Sequence, residues 1–220
     1  QSFPTIATTQ GQILHNHGFV HTLKEGDLFL LDAGAETKEH YAGDLSSTVP
    51  VSNQFTSQQA EIYNIHLESF QAAVDCLKPG VPFRDAHIAA ATRIVEGMKS
   101  LELMKGDPAE AAESGAYALF FPCGLGHMMG LDVHDMENLG EQYVGYDGKP
   151  KSKQFGFKSL RLARPLEPGF VFTVEPGIYF IPELIDKWKA EKQFTDFICY
   201  EKLDAWRNFT GLRNELDYTI

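Results

Sequence analysis

Two apolar runs early in the chain predict a pair of β-strands. Residues 27–36 (DLFLLDAGAE) form an apolar run that ends in a glycine turn, and residues 41–51 (YAGDLSSTVPV) follow closely as a partner strand. If the two strands form a hairpin with its turn near Lys38, Asp32 lies opposite Asp44. Because side chains alternate between the two faces of a strand, both carboxylates then point to the same face.

The segment after these strands has the periodicity of amphipathic helices. A first helix begins at Thr56, where the sequence forms a capping box, and ends at Pro79. A second helix spans about 83–104, and a third begins at Asp107 with a proline in its first turn. The apolar stripes of the first two helices consist of Ile62, Ile65, Phe70, Ala73, Val74 and Leu77, and of Ile88, Ala91, Val95 and Met98.

The rest of the chain mixes loops, strands and a short helical segment. Residues 140–160 are polar and rich in Gly and Lys, which predicts a long loop. Residues 170–180 (FVFTVEPGIYF) and 216–220 predict strands, and 182–209 predict a short helical insertion. Since strands and helices come in blocks, we predict an α+β fold in which the whole chain, 1–220, is one domain.

Composition and charge exclude several classes of protein. A hydrophobic fraction of 43% and 26 aromatic residues (16 Phe, 8 Tyr and 2 Trp) exclude disorder. The net charge of -11 argues against nucleic-acid binding, and no run reaches the ~18 apolar residues of a membrane span. Three widely spaced cysteines form no disulfide framework or CxxC motif, so we expect a cytoplasmic protein. The chain has no initiator Met, and we expect that both ends are trimmed from a longer protein.

Carboxylates in apolar surroundings are the first chemical signal. Asp32 and Asp44, side by side, would repel each other unless one is protonated or a cation lies between them. Glu175 interrupts an apolar strand and also needs a countercharge. The plainer alternatives are a capped turn with two solvated acids, and an edge strand with Glu175 facing water, which Pro176 would favour.

Histidines in a glycine-rich segment are the second signal. His127 lies in a Gly-Leu-Gly-His turn, His134 follows seven residues later, and Glu215 lies near the end of the chain beside Asp217. Singly, these are equally consistent with a core histidine and a surface charge cluster. Four carboxylates with one imidazole are together an oxygen-rich ligand set that suits Mn²⁺, and suits Zn²⁺ less well.

Five motifs in one order resemble a known family. The segments LLDAGAE, GDLSST, GLGHMMGLDVHD, LEPGFVFTVEPGIYF and GLRNELD resemble those of the pita-bread metallopeptidases, and most closely the prolidase (Xaa-Pro dipeptidase) and aminopeptidase P group. The resemblance extends from about His15 to Ile220. It implies a pita-bread fold, in which a curved antiparallel sheet carries helices on its outer face, and a longer parent protein with an additional N-terminal domain.

The resemblance also implies a site with two divalent ions, most often Mn²⁺, with Co²⁺ or Zn²⁺ as alternatives. Asp32 would bind one ion through both oxygens. Asp44 and Glu215 would bridge the two ions, and His127 and Glu175 would complete the other.

Further residues receive roles from the same resemblance. Glu175 would shuttle a proton to the leaving proline nitrogen, and His134 would stabilise the tetrahedral oxyanion and contact substrate. His15 would act at the substrate cleft, Arg161 would hold the substrate carboxylate, and Arg213 would support Glu215. For Arg161, the plainer alternative is a loop arginine that contacts only solvent.

The chain departs from the family pattern in several places. Cys123 stands where relatives usually carry a histidine, which puts efficiency or specificity in question but leaves the metal ligands intact. Ser46 and Ser47 replace Thr-Arg, and Asn214 replaces an apolar residue. The spacing from Asp32 to Asp44 is also one residue longer.

These features predict a metal-dependent exopeptidase that hydrolyses Xaa-Pro bonds, and they favour a dipeptidase. Its substrates would be small peptides with proline in the second position, and the full-length protein would be a homodimer. The alternatives are an aminopeptidase P, which takes longer peptides, and a non-catalytic binding protein on the same fold.

Overall fold

Antiparallel strand pairs form the framework of the computed structural model, which describes residues 1–220. The strands are β1 (Ile6–Thr8), β2 (Leu28–Ala33), β3 (Leu45–Pro50), β4 (Val171–Val174), β5 (Gly177–Tyr179), β6 (Gly211–Arg213) and β7 (Leu216–Thr219). They pair in the order β1-β2-β3, with β4 beside β7 and β5 beside β6. A bridge from Ser46 to Glu215 links β3 to the turn between β6 and β7. This mixture of antiparallel strands and helices confirms the predicted α+β class.

The β2–β3 hairpin has a different register from the predicted one. Asp32 pairs with Ser46, and not with Asp44, which precedes β3. The observed register differs from the predicted one by two residues. Because side chains alternate between the faces with a period of two, Asp32, Asp44 and Ser46 still point to the same face. All three side chains are buried, as the prediction of a shared face requires.

The geometry of the hairpin turn explains this register. The N–H of Thr37 donates to the carbonyl of Tyr41 at 2.9 Å, which centres the turn on Glu39 instead of Lys38. His40 closes the turn with a left-handed φ of 67°. The apolar pattern of the strands does not encode such a turn, because its closure depends on one residue in an uncommon backbone conformation.

Helices α1 (Ser57–Asp75), α2 (Phe83–Ser100) and α3 (Pro108–Ser114) confirm the predicted helical block. Thr56 and Gln59 form the expected capping box at the start of α1, and the Asp107 side chain caps α3. Helix α2 is shorter than predicted because the chain turns away after Ser100. There, the carbonyl of Leu103 accepts a hydrogen bond from Cys199, which draws the segment towards the far end of the chain.

The segment 140–160 is not the continuous loop that its composition predicts. It contains α4 (Glu141–Tyr146) and a short 3₁₀ turn at Phe157–Ser159. Gly145 makes the close packing possible, since a Cβ there would lie 1.9 Å from the carbonyl oxygen of Arg161. The Gly145 carbonyl in turn accepts hydrogen bonds from two later backbone N–H groups. Tertiary contacts therefore order a polar segment with no apolar stripe of its own.

The strand predicted over 170–180 is divided in two at Glu175–Pro176. Before the break β4 pairs with β7, and after it β5 pairs with β6. The N–H of Glu175 instead donates to the carbonyl of Leu125 at 2.7 Å, and proline has no N–H to donate. Glu175 therefore lies at a break between two ladders, beside the glycine-rich segment.

The remaining elements complete the framework around the core. The predicted insertion contains α5 (Pro182–Ala190) and a 3₁₀ segment, Tyr200–Trp206. Helices α1 and α2 pack against each other, and α1 also contacts β4 and β5 from one side. None of the helices has the length and apolarity needed to cross a membrane.

Candidate metal centre and its cavity

One cavity of about 560 Å³ collects every residue to which the sequence assigns a site role. These residues are His15, Asp32, Asp44, His127, His134, Arg161, Glu175, Arg213 and Glu215. They come from widely separated parts of the chain, and the strand ends and glycine-rich turns bring them together.

Asp44, His127 and Glu215 form the tightest group in this cavity. One ligand atom from each side chain lies within 4.8 Å of the other two, and all three residues are buried. The His127 Nε2 atom lies 3.5 Å from an oxygen of Asp44 and 3.5 Å from an oxygen of Glu175. Glu175 and Asp32 line the same cavity but lie outside this tight cluster.

Unsatisfied carboxylate oxygens test whether these residues fit a metal ion. Asp32, Asp44 and Glu215 each have one buried oxygen without a hydrogen-bond partner. A buried carboxylate oxygen without a partner carries a high desolvation cost. A hard divalent cation would satisfy such oxygens, so the donor set fits divalent ions.

The orientation of His127 also suits metal ligation. Its Nδ1 atom lies 3.0 Å from the carbonyl oxygen of Met128, so Nδ1 carries the proton and donates. The lone pair of the neutral ring is then on Nε2, which is the atom facing the carboxylates. A hydrogen bond from the second ring nitrogen commonly fixes a metal-binding histidine in this way.

Arg213 is the buried cation beside these acids. Its Nη2 donates to Asp32 Oδ2 at 2.6 Å, its Nη1 donates to the Tyr179 hydroxyl at 2.8 Å, and its Nε donates to the Ser46 hydroxyl at 3.1 Å. Ser46 in turn donates to Glu215 Oε2 at 2.8 Å. The guanidinium therefore contacts Asp32 directly and reaches Glu215 through Ser46.

The pKa values of Asp32, Glu175 and Glu215 are raised, because these acids are buried with too little positive charge nearby to balance them. Burial raises the pKa of Asp32, although Arg213 opposes the shift. Burial also raises the pKa of Glu175, and it raises that of Glu215 well above its usual range, with Glu175 and Asp44 adding to the effect. Each of these shifts favours the neutral acid in the metal-free protein, so cation binding and proton loss are linked at this site.

His127 shows the opposite balance. Burial alone would lower the pKa of its imidazole, but the neighbouring carboxylates of Asp44 and Glu175 outweigh that cost and the net pKa is raised. The imidazole is therefore the one group in the cluster that can partly neutralise the acids when no metal is bound.

A second set of charges lies along the cavity near His134. The His134 Nδ1 atom lies 3.0 Å from an oxygen of Glu137, and its ring packs edge-on against His127 with 4.4 Å between centroids. Arg161 donates to Glu137 and to Glu141, each at 2.7 Å. Arg161 is thus held in place by two glutamates, which excludes the alternative of an arginine that contacts only solvent.

His15 and Cys123 complete the described lining. Burial lowers the pKa of His15, with Arg213 adding to the effect, so the ring is neutral near pH 7. Cys123 lies in the cavity as a free thiol, and burial raises its pKa to about 12. A thiol with so high a pKa is not a nucleophile at neutral pH.

Sequence reasoning missed His66, a fully buried residue of α1. Its Nε2 atom lies 2.8 Å from the carbonyl oxygen of Pro176, and its Nδ1 atom lies 3.5 Å from Nδ2 of Asn214. The available signal was its position, since His66 lies four residues after Ile62, on the apolar stripe of the helix. A polar residue on a buried stripe needs a partner, and here the partners adjoin Glu175 and Glu215.

Comparison with known proteins then decides the family. Residues 1–219 match the description of metallopeptidase family M24. The chain belongs to the M24 family. M24 enzymes are metallopeptidases, so the use of divalent metal by this family agrees with the cluster of Asp44, His127 and Glu215.

Two kinds of relative resemble this M24 chain to a similar degree. It is 38% identical to the Xaa-Pro dipeptidase of Rattus norvegicus over 199 residues, which cover 90% of the chain and 39% of the relative. It is 39% identical to the Xaa-Pro aminopeptidase of Escherichia coli (strain K12) over 184 residues, which cover 83% of the chain and 37% of the relative. The chain therefore spans about two fifths of the length of these curated relatives.

Solved structures confirm the predicted pita-bread architecture. Aminopeptidase P from E. coli with the inhibitor Pro-Leu superimposes with a TM-score of 0.75 at 34% identity, covering 100% of this M24 chain and 42% of the other. Aminopeptidase PepP from Pseudomonas aeruginosa gives 0.74 at 32% identity, with the same coverages.

Proposed function

We propose that this protein is a metal-dependent exopeptidase that hydrolyses Xaa-Pro peptide bonds, and that its main activity is that of a dipeptidase. The observation that carries the proposal is the set of buried, unpartnered oxygens on Asp32, Asp44 and Glu215, which line one cavity with His127 in a chain of the M24 family. The relatives named Xaa-Pro dipeptidase and Xaa-Pro aminopeptidase support the choice of bond. We further propose that residues 1–220 act as one catalytic domain.

The proposed ligands hold two divalent ions, with Mn²⁺ favoured over Co²⁺ or Zn²⁺. Asp32, Asp44, His127, Glu175 and Glu215 would hold these ions, with the tight cluster of Asp44, His127 and Glu215 at the centre of the set. Four carboxylates and one imidazole give the oxygen-rich set that suits Mn²⁺. When bound, such ions supply electrophilic activation of the carbonyl group and of water.

The protein's own residues then carry protons and hold the substrate. Glu175 lies beside His127 at the cavity wall, where its carboxylate could take a proton from the attacking water and pass it to the leaving nitrogen of proline. Arg161, fixed by Glu137 and Glu141, keeps further N–H groups free for a substrate carboxylate. His15, neutral at the cavity wall, contributes to the substrate cleft.

His134 stabilises the oxyanion when the His134 ring is protonated. Because Nδ1–H donates to Glu137, the Nε2 atom of the neutral ring is an acceptor. It can donate to a developing oxyanion only when the ring carries a second proton, and Glu137 supplies the countercharge. Burial lowers the pKa of His134, with His127 and Arg161 adding to the effect, so this proton is available mainly in acidic solution or when substrate charge is present.

The Xaa-Pro bond explains why such a site is needed. The bond is a tertiary amide without an N–H, so a peptidase that recognises its substrate through a hydrogen bond from that N–H cannot cleave the Xaa-Pro bond. A cavity of about 560 Å³ lined with carboxylates and cations suits a short peptide with two charged ends.

Dipeptidase and aminopeptidase P activities differ in the substrate they require. A dipeptidase takes a substrate whose proline carries the free carboxylate, whereas aminopeptidase P takes a longer peptide. The test is to strip and reconstitute the full-length protein with Mn²⁺ and to offer Ala-Pro and Ala-Pro-Ala side by side. Cleavage of Ala-Pro establishes a dipeptidase, whereas cleavage of the tripeptide alone establishes the aminopeptidase P alternative. Bound Mn²⁺ with neither peptide cleaved would favour a binding protein.

We propose a cytoplasmic location, because the three cysteines are free thiols. We also propose that the full-length protein is a homodimer that acts on short peptides and not on nucleic acid or membranes, in line with its charge of -11. Gel filtration with light scattering would test the assembly.

A further inference from the structure

Two metal-ligand segments meet at one buried histidine outside the cavity. Pro176 directly follows Glu175, and Asn214 directly precedes Glu215. Both contact His66 of α1, which has no solvent exposure and does not line the cavity. A single imidazole thus lies behind two of the proposed metal ligands.

The hydrogen bonds of this group determine which atoms donate. The Asn214 Oδ1 atom accepts from the N–H of Thr48 on β3 at 2.9 Å, so the Nδ2 amide must point towards His66. That amide approaches Nδ1 of His66 at 3.5 Å, so Nδ1 holds a lone pair. Nε2 therefore carries the proton, and it donates to the carbonyl of Pro176 at 2.8 Å.

This assignment makes a continuous network across three elements. It runs from Thr48 on β3 through the Asn214 amide and the His66 ring on α1 to the backbone at the break between β4 and β5. Burial lowers the pKa of His66 to about 4, which agrees with a neutral ring that donates through one nitrogen and accepts through the other. The backbone nitrogen of Asn214 also lies 3.3 Å from Nε2, so one ring atom lies against the backbone of both metal-ligand segments, and a shift of the ring would displace both.

The break at Glu175–Pro176 explains why fixation is needed there. Pro176 has no N–H, and the two halves of the strand pair with different partners. The Glu175 side chain therefore depends on anchors outside the ladders, namely the Leu125 carbonyl before the break and His66 after it.

We propose that His66, together with Asn214, is a positioning residue that sets the spacing of Glu175 and Glu215 for metal binding. The inference rests on the proposed function only in taking these two glutamates as ligands. It predicts an effect on metal affinity even if the substrate is not an Xaa-Pro peptide.

The chain supplies a matched control in His87. This histidine of α2 is also fully buried, and its Nε2 atom contacts the Tyr117 hydroxyl at 2.6 Å, but it does not line the cavity. Substituting either histidine by leucine removes a buried hydrogen bond, and only His66 touches the segments of the metal ligands.

The experiment compares Mn²⁺ affinity by calorimetry in full-length wild type, His66→Leu, His66→Gln and His87→Leu, alongside urea unfolding and kcat and KM for Ala-Pro. We expect His66→Leu to weaken Mn²⁺ binding roughly 10- to 100-fold and to lower kcat more than it changes KM. His66→Gln, whose amide can donate to Pro176, should retain most of the wild-type affinity. His87→Leu should lose stability without losing affinity.

Three results would overturn the inference. The first is wild-type Mn²⁺ affinity in His66→Leu, and the second is an equal loss of affinity in His87→Leu. The third is a wild type that binds no Mn²⁺. A wild type that binds Mn²⁺ but cleaves neither Ala-Pro nor Ala-Pro-Ala would instead defeat the proposed function, and the affinity comparison would still decide the role of His66.

Discussion

Arg213 and Asp32 form a buried ion pair in which only one carboxylate oxygen is used. The Nη2 atom of Arg213 lies 2.6 Å from Asp32 Oδ2, whereas Oδ1 has no hydrogen-bond partner. Both residues are largely withdrawn from solvent, at 4% and 6% exposure. The guanidinium therefore offsets part of the cost of burying Asp32 and leaves one oxygen for a cation in the cavity.

Removing this guanidinium should destabilise the fold strongly. In Arg213→Met the Asp32 carboxylate stays buried without its partner, which typically costs about 3–5 kcal/mol in the free energy of unfolding. Urea denaturation of the metal-free protein measures this loss. The control is Arg207→Met, since Arg207 also pairs with an aspartate, Asp186, through both carboxylate oxygens, but on the exposed surface.

Solvent screens the Arg207 pair, so its loss should change stability far less than loss of the Arg213 pair. Equal midpoint shifts in the two variants would contradict the claim that Arg213 is needed because it is buried beside Asp32.

Asp44→Ala should abolish metal binding at the tight cluster. Asp44 shares that cluster with His127 and Glu215, and its Oδ1 atom is buried without a partner. Activity should fall by more than the roughly 10- to 100-fold that loss of an outer-shell partner costs. Elemental analysis after reconstitution and dipeptide hydrolysis measure the two effects.

Glu39→Ala is the control for this substitution, because Glu39 is an exposed acid at the tip of the same hairpin. It should keep full metal content and activity. Full activity in Asp44→Ala would refute the assignment of Asp44 as a ligand.

The local motifs predicted which residues share the site, because each lies in a short and distinctive segment. All nine predicted site residues line one cavity, and the capping box at Thr56 starts α1 as expected. The roles of these residues stay predictions until variants are measured. The hairpin register was predicted wrongly, since one left-handed residue, His40, sets the turn and periodicity carries no information about it.

The sequence also did not identify contacts between residues that are far apart in the chain. The helix α4 is ordered by backbone contacts between Gly145 and the segment near Arg161, and no local pattern encodes them. His66 and Asn214 are 148 residues apart, so their contact depends on the complete fold. A single sequence shows that His66 needs a partner but does not identify it.

Arg161→Gln should raise KM for a dipeptide with a free carboxylate. A charge-assisted hydrogen bond from the guanidinium contributes about 1.5–3 kcal/mol, so the expected increase is roughly 10- to 100-fold. The measurement compares KM for Ala-Pro with KM for its C-terminal amide, which lacks the charge and should be much less affected.

Arg164→Gln is the control, since Arg164 pairs with Glu167 and does not line the cavity. It should leave both KM values unchanged. If Arg161→Gln weakened both substrates equally, the role of Arg161 would be to hold Glu137 and Glu141 in place, and not to bind the carboxylate.

His87 should make the protein sensitive to mild acid at a point remote from the cavity. Burial lowers the pKa of His87 from its ordinary value of 6.5 to about 3, so the folded state stays neutral while the unfolded state gains a proton. The unfolded chain then binds more protons between these two pKa values, and stability falls as the pH falls. From pH 7 to pH 5 the expected loss from this residue is about 2 kcal/mol.

The measurement is the free energy of unfolding of the metal-free protein at pH 7 and pH 5, in wild type and in the double variant His87→Phe with Tyr117→Phe. The double variant removes both partners of the buried hydrogen bond, so no polar side-chain atom is left unpaired there. Its pH dependence should be smaller than that of wild type by about 2 kcal/mol, while other histidines contribute equally to both proteins. An unchanged difference between pH 7 and pH 5 would show that His87 is protonated in the folded state or solvated through local opening.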